Sequence, residues 1–132
     1  MTIQKLSPIL WTKNLEATIE FYTTILGFSS QSNFPNFASL SKGNAEIMFV
    51  LPQEEPAACK DPNDKAMFFL QAHLTGSIFI YMQGVDELWE NVREKAFIKS
   101  SIEDREYLMR DFSILDNNGY EIVFGEDISN YK

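Results

Sequence analysis

The chain of 132 residues is 45% hydrophobic and 14% aromatic, enough for one buried core but too short for two, so we expect a single domain over residues 1–132. Nineteen acidic against eleven basic residues give a net charge of −8, which repels phosphate groups and anionic lipids and argues against nucleic-acid and membrane partners. The single Cys59 excludes an internal disulfide, and neither a secretory leader nor a membrane-length apolar run is recognisable, so we expect a cytoplasmic protein.

The first predicted elements are a strand within residues 5–13 and a helix that follows Asn14, a favourable N-cap residue. Side chains alternate between the two faces of a strand, which separates Leu6, Pro8 and Leu10 from Ser7, Ile9 and Trp11. Apolar residues then recur at helical spacing, at Leu15, Ile19, Tyr22 and Leu26, before Gly27 at the expected left-handed end. This stripe predicts that the helix covers the strand face of Leu6 and that the strand face of Trp11 lies on the side opposite the helix.

A hairpin is predicted at residues 37–49, and a near copy of it recurs at residues 112–124. The two segments, FASLSKGNAEIMF and FSILDNNGYEIVF, align without a gap. The alignment matches Phe37 with Phe112, Glu46 with Glu121 and Phe49 with Phe124. Alternating apolar residues around a short Gly/Asn turn are typical of two antiparallel strands, and a repeat of this length indicates a duplicated unit.

The segments upstream of the two hairpins also match, because residues 5–13 and 75–83 both have strand character and lead into helices. In this alignment Ser7 lies opposite Ser77. Both modules therefore have the order strand, helix, three strands. The predicted boundaries are about 3–51 for module one, about 52–74 for the linker and about 75–127 for module two.

In the second module, a helix from Asp86 is expected to cover the strand face of Ile78, Ile80 and Met82. The covering stripe consists of Val85, Leu88, Trp89, Val92 and Ala96. The opposite face is predicted to carry Ser77, Phe79 and Tyr81 from the first strand, Glu46, Met48 and Val50 from the last strand of module one, and Glu121, Val123 and Gly125 from the last strand of module two. The apolar run Met67–Leu70 in the linker is either buried linker or a lid over this face.

Two motifs resemble those of a known family. NLEATIEFYTTILGF, from residue 14, is similar to a helix that ends in Phe-Tyr followed by Leu-Gly-Phe, and MRDFSILDNNGYEIVFGE, from residue 109, is similar to a closing hairpin around an Asp-x-x-Gly-Tyr turn. Both are features of the vicinal oxygen chelate superfamily, which includes glyoxalase I, extradiol dioxygenases, and fosfomycin and bleomycin resistance proteins. The resemblance implies an α+β fold in which two tandem βαβββ modules form curved mixed sheets around a central cleft, with the helices outside.

The resemblance also implies where a metal would bind, since enzymes of this family hold a divalent metal at four inward positions. These positions correspond to Ser7, Met48, Ser77 and Val123 in this chain. A hydroxyl, a thioether and an isopropyl group do not make a ligand set for a hard or borderline dication. We therefore expect no metal and no cofactor, and an enzymatic activity is left undecided, with a preference against it.

Glu46 and Glu121 are weighed separately because they lie two residues before the matched positions and point to the same side. Two residues correspond to about 7 Å along a strand, which places these carboxylates near the rim, either solvated and ion-paired or fixing a ligand. A displaced metal site of Glu46, Glu121 and His73, in a glyoxalase- or dioxygenase-like enzyme, is the alternative. The chain offers no nucleophile paired with a base, so no catalytic residue is assigned.

The predicted inner surface is apolar and aromatic and suits a small organic ligand. We assign ligand contact to Ile9, Trp11, Met48, Val50, Phe79, Tyr81 and Val123, with Glu46 and Glu121. A sheet that closes on its own side chains, without a cavity, is the competing interpretation. The favoured function is a metal-free binding protein similar to the bleomycin resistance branch, which holds an aromatic or cationic compound and forms a homodimer.

Overall fold

The computed structural model describes residues 1–31, 34–52 and 74–130 of the chain. The chain divides into two compact units, Met1–Ala72 and His73–Lys132, which we call module one and module two. The possible lid Met67–Leu70, Cys59 and His73 lie outside the described residues. No helix in the described part of the chain is long and apolar enough to cross a membrane.

Each module follows the predicted order of one strand, one helix and three strands. Module one contains β1 (Ile9–Trp11), α1 (Leu15–Glu20), β2 (Ser29–Gln31), β3 (Phe37–Lys42) and β4 (Ala45–Val50). Module two contains β5 (Ile78–Tyr81), α2 (Val85–Val92), β6 (Phe97–Asp104), β7 (Met109–Leu115) and β8 (Glu121–Asp127). The prediction of an α+β fold with two βαβββ modules is confirmed.

Both sheets are mixed and have four strands. Their orders are β1-β4-β3-β2 and β5-β8-β7-β6, so the same arrangement occurs twice. In each sheet the first strand of the module runs parallel to the last one, and the other pairs are antiparallel. A parallel pair needs a long crossover connection, and the helix with its two following strands provides that connection in each module.

Helix α1 begins where the sequence predicts, because the Asn14 side chain accepts a hydrogen bond from the backbone N–H of Ala17 at 3.0 Å. The helix then widens into a π-helical segment, Phe21–Ile25, which the 3.6-residue spacing of its apolar stripe does not reveal. Gly27 ends it with a positive φ of 76°. The buried Tyr22 ring packs on Phe49, with centroids 5.3 Å apart, and thereby joins the helix to β4.

The N-terminus of helix α2 is capped by a side chain from the sheet and not by the side chain of its own N-cap residue. Gly84 has no side chain, and the Glu126 carboxylate accepts hydrogen bonds from the backbone N–H groups of Gly84 and Val85, both at 3.1 Å. A carboxylate there also complements the positive end of the helix dipole. Trp89 on α2 packs on Phe112 of β7, with ring centroids 5.1 Å apart, and thereby joins the helix to the sheet of module two.

The strand pairing of the two hairpins differs by one residue. The prediction that they match without a gap is therefore wrong. In module one Ser41 pairs with Glu46 and four residues connect them, whereas in module two Leu115 pairs with Glu121 and five residues connect them. The extra residue fits a turn in which the Asp116 carboxylate accepts the backbone N–H groups of residues 118 and 120.

The longer turn shifts β7 by one position relative to β3. Phe112 pairs with Phe124 and takes the place of Ala38, which pairs with Phe49, instead of the place of Phe37. The same shift makes Ser113, which pairs with Val123, the counterpart of Ser39, which pairs with Met48.

The prediction for Leu6 is also wrong. Its side chain is 84% exposed and takes no part in the core beneath α1. The strand begins only at Ile9, so the alternation does not extend back to Leu6. Within the strand itself the alternation holds, because Leu10 is buried and its two neighbours are exposed.

Candidate functional site

The sheet of each module has two faces of different character. On the helix side, side chains such as Leu40, Ile47, Ile114 and Ile122 are fully buried. On the opposite side, which we call the inner face, most side chains of the first and last strands are exposed or half-buried. The predicted ligand contacts all lie on these inner faces, and each module is described by itself below.

The inner face of module one carries the predicted apolar contacts in two neighbouring strands. Ile9 pairs with Met48 and Trp11 pairs with Val50, so their side chains form a continuous patch across β1 and β4. Trp11 is 45% exposed, and Met48 and Val50 are half-buried. An indole that keeps this much exposed surface offers a broad contact area to a ligand.

Glu46 lies at one end of this patch, and three groups of module one hold its carboxylate. Ser7 Oγ donates a hydrogen bond to Oε1 and Ser39 Oγ donates one to Oε2. Lys5 Nζ forms an ion pair with Oε1 at 2.9 Å. The hydrogen bonds from Ser39, Ser7 and Lys5 lower the pKa of Glu46 from 4.5 to about 2, so the carboxylate is fully ionised at neutral pH.

The inner face of module two is built around a glycine. Gly125 pairs with Tyr81, and a side-chain carbon at Gly125 would lie 2.4 Å from Phe79 Cζ and 3.0 Å from Met109 Cε. The Phe79 ring therefore lies directly on the backbone of β8. It also packs on the Tyr81 ring, with centroids 4.8 Å apart, and Tyr81 remains 74% exposed.

A polar network on β6, β7 and the turn between them is the part of the site that the sequence analysis missed. The carboxylate of Asp111, which is only 4% exposed, accepts from Arg105 Nε at 2.9 Å and from the Tyr107 hydroxyl at 2.8 Å. Arg105 also donates to Ser100 Oγ at 3.0 Å and to Glu103 at 2.9 Å. The hydrogen bond to Asp111 raises the pKa of Tyr107.

A signal for this network was present in the sequence. Extending the alternation of β7 back from Ser113 puts Asp111 on the inner face, and a buried carboxylate there needs a cation. Arg105 and Tyr107 lie in the turn that leads into that strand. The comparison of the two modules did not single them out, because they lie outside the aligned segments 37–49 and 112–124.

Glu121, the counterpart of Glu46, has a different partner. It accepts a hydrogen bond from Lys99 Nζ of β6 at 3.0 Å, and the lysine is half exposed. In module one Lys5, Ser7 and Ser39 all bind the Glu46 carboxylate. In the described part of module two, Ser113, the counterpart of Ser39, does not bind Glu121. The sequence predicted that both glutamates are ion-paired or bind a ligand, and both are ion-paired here.

The residues at the family's metal positions do not fit a metal. Ser7 is bound to Glu46, and the thioether of Met48 and the isopropyl group of Val123 are poor ligands for a hard dication. The register also puts Ile9, not Ser7, beside Met48. Within the ranges that the structure describes, no three His, Cys, Asp or Glu side chains are grouped as a metal site.

The repeated βαβββ order, the parallel first-to-last strand pairs and the open inner faces define a class of two-module α+β protein. A family model for the Glyoxalase/Bleomycin resistance protein/Dioxygenase superfamily matches residues 3–124, and the chain belongs to this superfamily. None of the curated proteins matches the chain in sequence.

Several solved structures share the fold. A glyoxalase/bleomycin resistance protein/dioxygenase from Nocardioides is 20% identical, with a TM-score of 0.69 over 98% of this chain and 87% of that one. TioX from Micromonospora sp. ML1 is 16% identical, with a TM-score of 0.70 over 93% and 95%. A protein from Alicyclobacillus acidocaldarius, described like the first, is 13% identical, with a TM-score of 0.71 over 97% and 94%. At these identities the likeness concerns the fold alone.

Proposed function

We propose that this protein binds a small organic molecule on its inner sheet faces without using a metal, in the manner that the bleomycin resistance branch of its superfamily suggests. The observation that carries the proposal is the exposed aromatic patch at the end of the first strand of each module, Trp11 in one and Tyr81 in the other. The helix-covered cores are already closed without these two rings. Large amphipathic rings left accessible on a sheet face favour a binding role over a structural one.

The charge distribution favours an aromatic ligand that is neutral or cationic. The chain carries a net charge of −8, which attracts cations at long range. Trp11 and Tyr81 offer ring faces on which a cationic group is stabilised. Glu46 adds a carboxylate that stays ionised throughout the neutral range, at the far end of the patch that contains Trp11.

The test is a titration of a panel of cationic aromatic compounds, glycopeptide antibiotics included, with protein before and after treatment with a chelator. We expect binders to raise the melting temperature by the same amount in both samples, because no contact of the proposed site requires a metal. Elemental mass spectrometry of the untreated protein provides the control. Near-stoichiometric zinc, nickel, iron or manganese, with binding that disappears on chelation, contradicts the proposal and favours the metalloenzyme with displaced ligands.

A homodimer forms part of this proposal. The edge strands of the described sheets, β1 and β2 in one and β5 and β6 in the other, present backbone groups that a second chain can cover. β6 is eight residues long, and the side chains along it alternate in exposure. Light scattering at micromolar concentration should give about twice the monomer mass of 15.2 kDa, and a value equal to the monomer mass contradicts the dimer.

A further inference from the structure

The strongest unexplained feature of module two is a buried hydroxyl group on its inner face. Ser113 is 2% exposed, and its Oγ has no hydrogen-bond partner among the residues that the structure describes. A buried hydroxyl left unpaired costs about 1 to 3 kcal/mol, so buried polar groups of this kind nearly always have a partner. The position therefore indicates a partner that the described residues do not supply.

In module one, the serine equivalent to Ser113 has a hydrogen-bond partner. Ser39 is the counterpart of Ser113, because each pairs with the equivalent residue of the last strand, Met48 or Val123. The Ser39 hydroxyl donates to the Glu46 carboxylate. In module two the matching carboxylate, Glu121, binds Lys99, and the described residues offer no acceptor to Ser113.

We propose that Ser113 is the polar anchor of the ligand site in module two and donates its hydrogen bond to an oxygen atom of an aromatic ligand. This inference rests on the proposed function and adds the chemistry that the ligand must carry. Ser113 lies on β7, one strand from β8 and two strands from Phe79 on β5. Two strand spacings are about 10 Å, so a ligand of two fused rings reaches from the Phe79 ring to the Ser113 hydroxyl.

The charges near Ser113 favour an uncharged oxygen atom. Arg105, whose guanidinium reaches the neighbouring Ser100 hydroxyl, is already neutralised by Asp111 and Glu103. No unpaired cation of the described module faces the hydroxyl, so a carboxylate or phosphate on the ligand would have no counter-charge there. A phenol or carbonyl oxygen matches the single donor that a serine hydroxyl provides.

The test uses two probes of the same shape, 2-naphthol and 2-methylnaphthalene, which differ by a hydroxyl in place of a methyl group. Their affinities are measured by equilibrium dialysis at pH 7 for the full chain and for Ser113→Ala. We expect the variant to bind 2-naphthol about 2- to 12-fold more weakly, the loss of one hydrogen bond, and to bind 2-methylnaphthalene unchanged. Ser101→Ala is the matched control, because its side chain is exposed and the backbone carbonyl that accepts from Arg105 is kept in the variant.

Thermal unfolding of the same variants provides a second readout. Ser113→Ala should keep or raise the melting temperature, because it removes an unpaired buried hydroxyl, whereas Ser39→Ala should lower it. A fall in Ser113→Ala equal to that in Ser39→Ala means that the protein itself supplies a partner, and it overturns the inference.

The remaining outcomes separate this inference from the proposed function. Binding of both probes that Ser113→Ala leaves unchanged, or weakens equally, overturns the anchor and leaves the proposed function standing; a buried water on Ser113 would give this result. If neither probe binds the unmodified protein, the anchor is overturned, whereas the proposed function is decided by the panel of cationic aromatic compounds.

Discussion

The two modules share a backbone pattern but use their inner faces differently. In module one, the Glu46 carboxylate binds Ser7, Ser39 and Lys5, and Trp11 lies at the opposite end of the inner face. In module two these groups are apart: Lys99 binds Glu121, Ser113 has no hydrogen-bond partner among the described residues, and the principal polar cluster lies at Asp111. Duplication therefore preserves strand order, whereas side-chain partners, and with them ligand chemistry, are set separately in each copy.

The largest effect is expected where a buried ion pair holds module two together. Asp111→Ala leaves the Arg105 guanidinium without its principal partner, and we expect a loss of about 3 kcal/mol in the free energy of unfolding, at the lower end for a broken buried pair because Arg105 keeps Glu103. Urea denaturation measures it. Glu103→Ala, which removes the exposed partner of the same arginine, should cost less than about 1 kcal/mol. Equal losses in the two variants would mean that the buried carboxylate has no special role.

A smaller effect, restricted to acid, is expected in module one. The pKa of Glu46 is lowered from 4.5 to about 2 in the folded state, so its carboxylate stabilises the fold above about pH 4.5 and loses this contribution as the pH falls toward 2. The melting temperature of the unmodified protein should therefore fall toward that of Glu46→Gln over this range. Ser39→Ala removes the hydrogen bond that lowers the pKa of Glu46 most and should reduce the pH dependence. Parallel melting curves for the protein and Glu46→Gln between pH 5 and pH 2 would contradict the assignment.

The sequence predicts most of the fold, because alternation and helical spacing depend on local residues. Leu10 and Phe49 fall on the helix side and Trp11 and Tyr81 on the inner face, as the pattern requires. The turn of the second hairpin is not predicted. The extra turn residue near Asp116 is invisible because the repeat aligns well without a gap, and the resulting shift moves Phe112 into the core.

The partners of the candidate site are harder to predict than its faces. Periodicity assigns Glu46 and Glu121 to the same side but contains nothing about which lysine or serine reaches them. Those contacts join Lys5 to β4 and Lys99 to β8, across strands that are distant in sequence. The Arg105–Asp111 pair depends in addition on the path of the turn between β6 and β7, which periodicity does not predict.

The most direct test of the account is whether ligand binding depends on Trp11 and not on Trp89. The chain has two tryptophans, so Trp89→Phe leaves Trp11 as the sole indole emitter and Trp11→Phe leaves Trp89. The binder that raises the melting temperature most should change the fluorescence of the first variant and not of the second. Trp11→Ala should stay folded and lose about 1 to 3 kcal/mol of binding free energy, the contribution of one stacked or cation–π contact. A response from Trp89 alone, or a Trp11→Ala protein that unfolds, would place Trp11 in the core and contradict the proposed binding face.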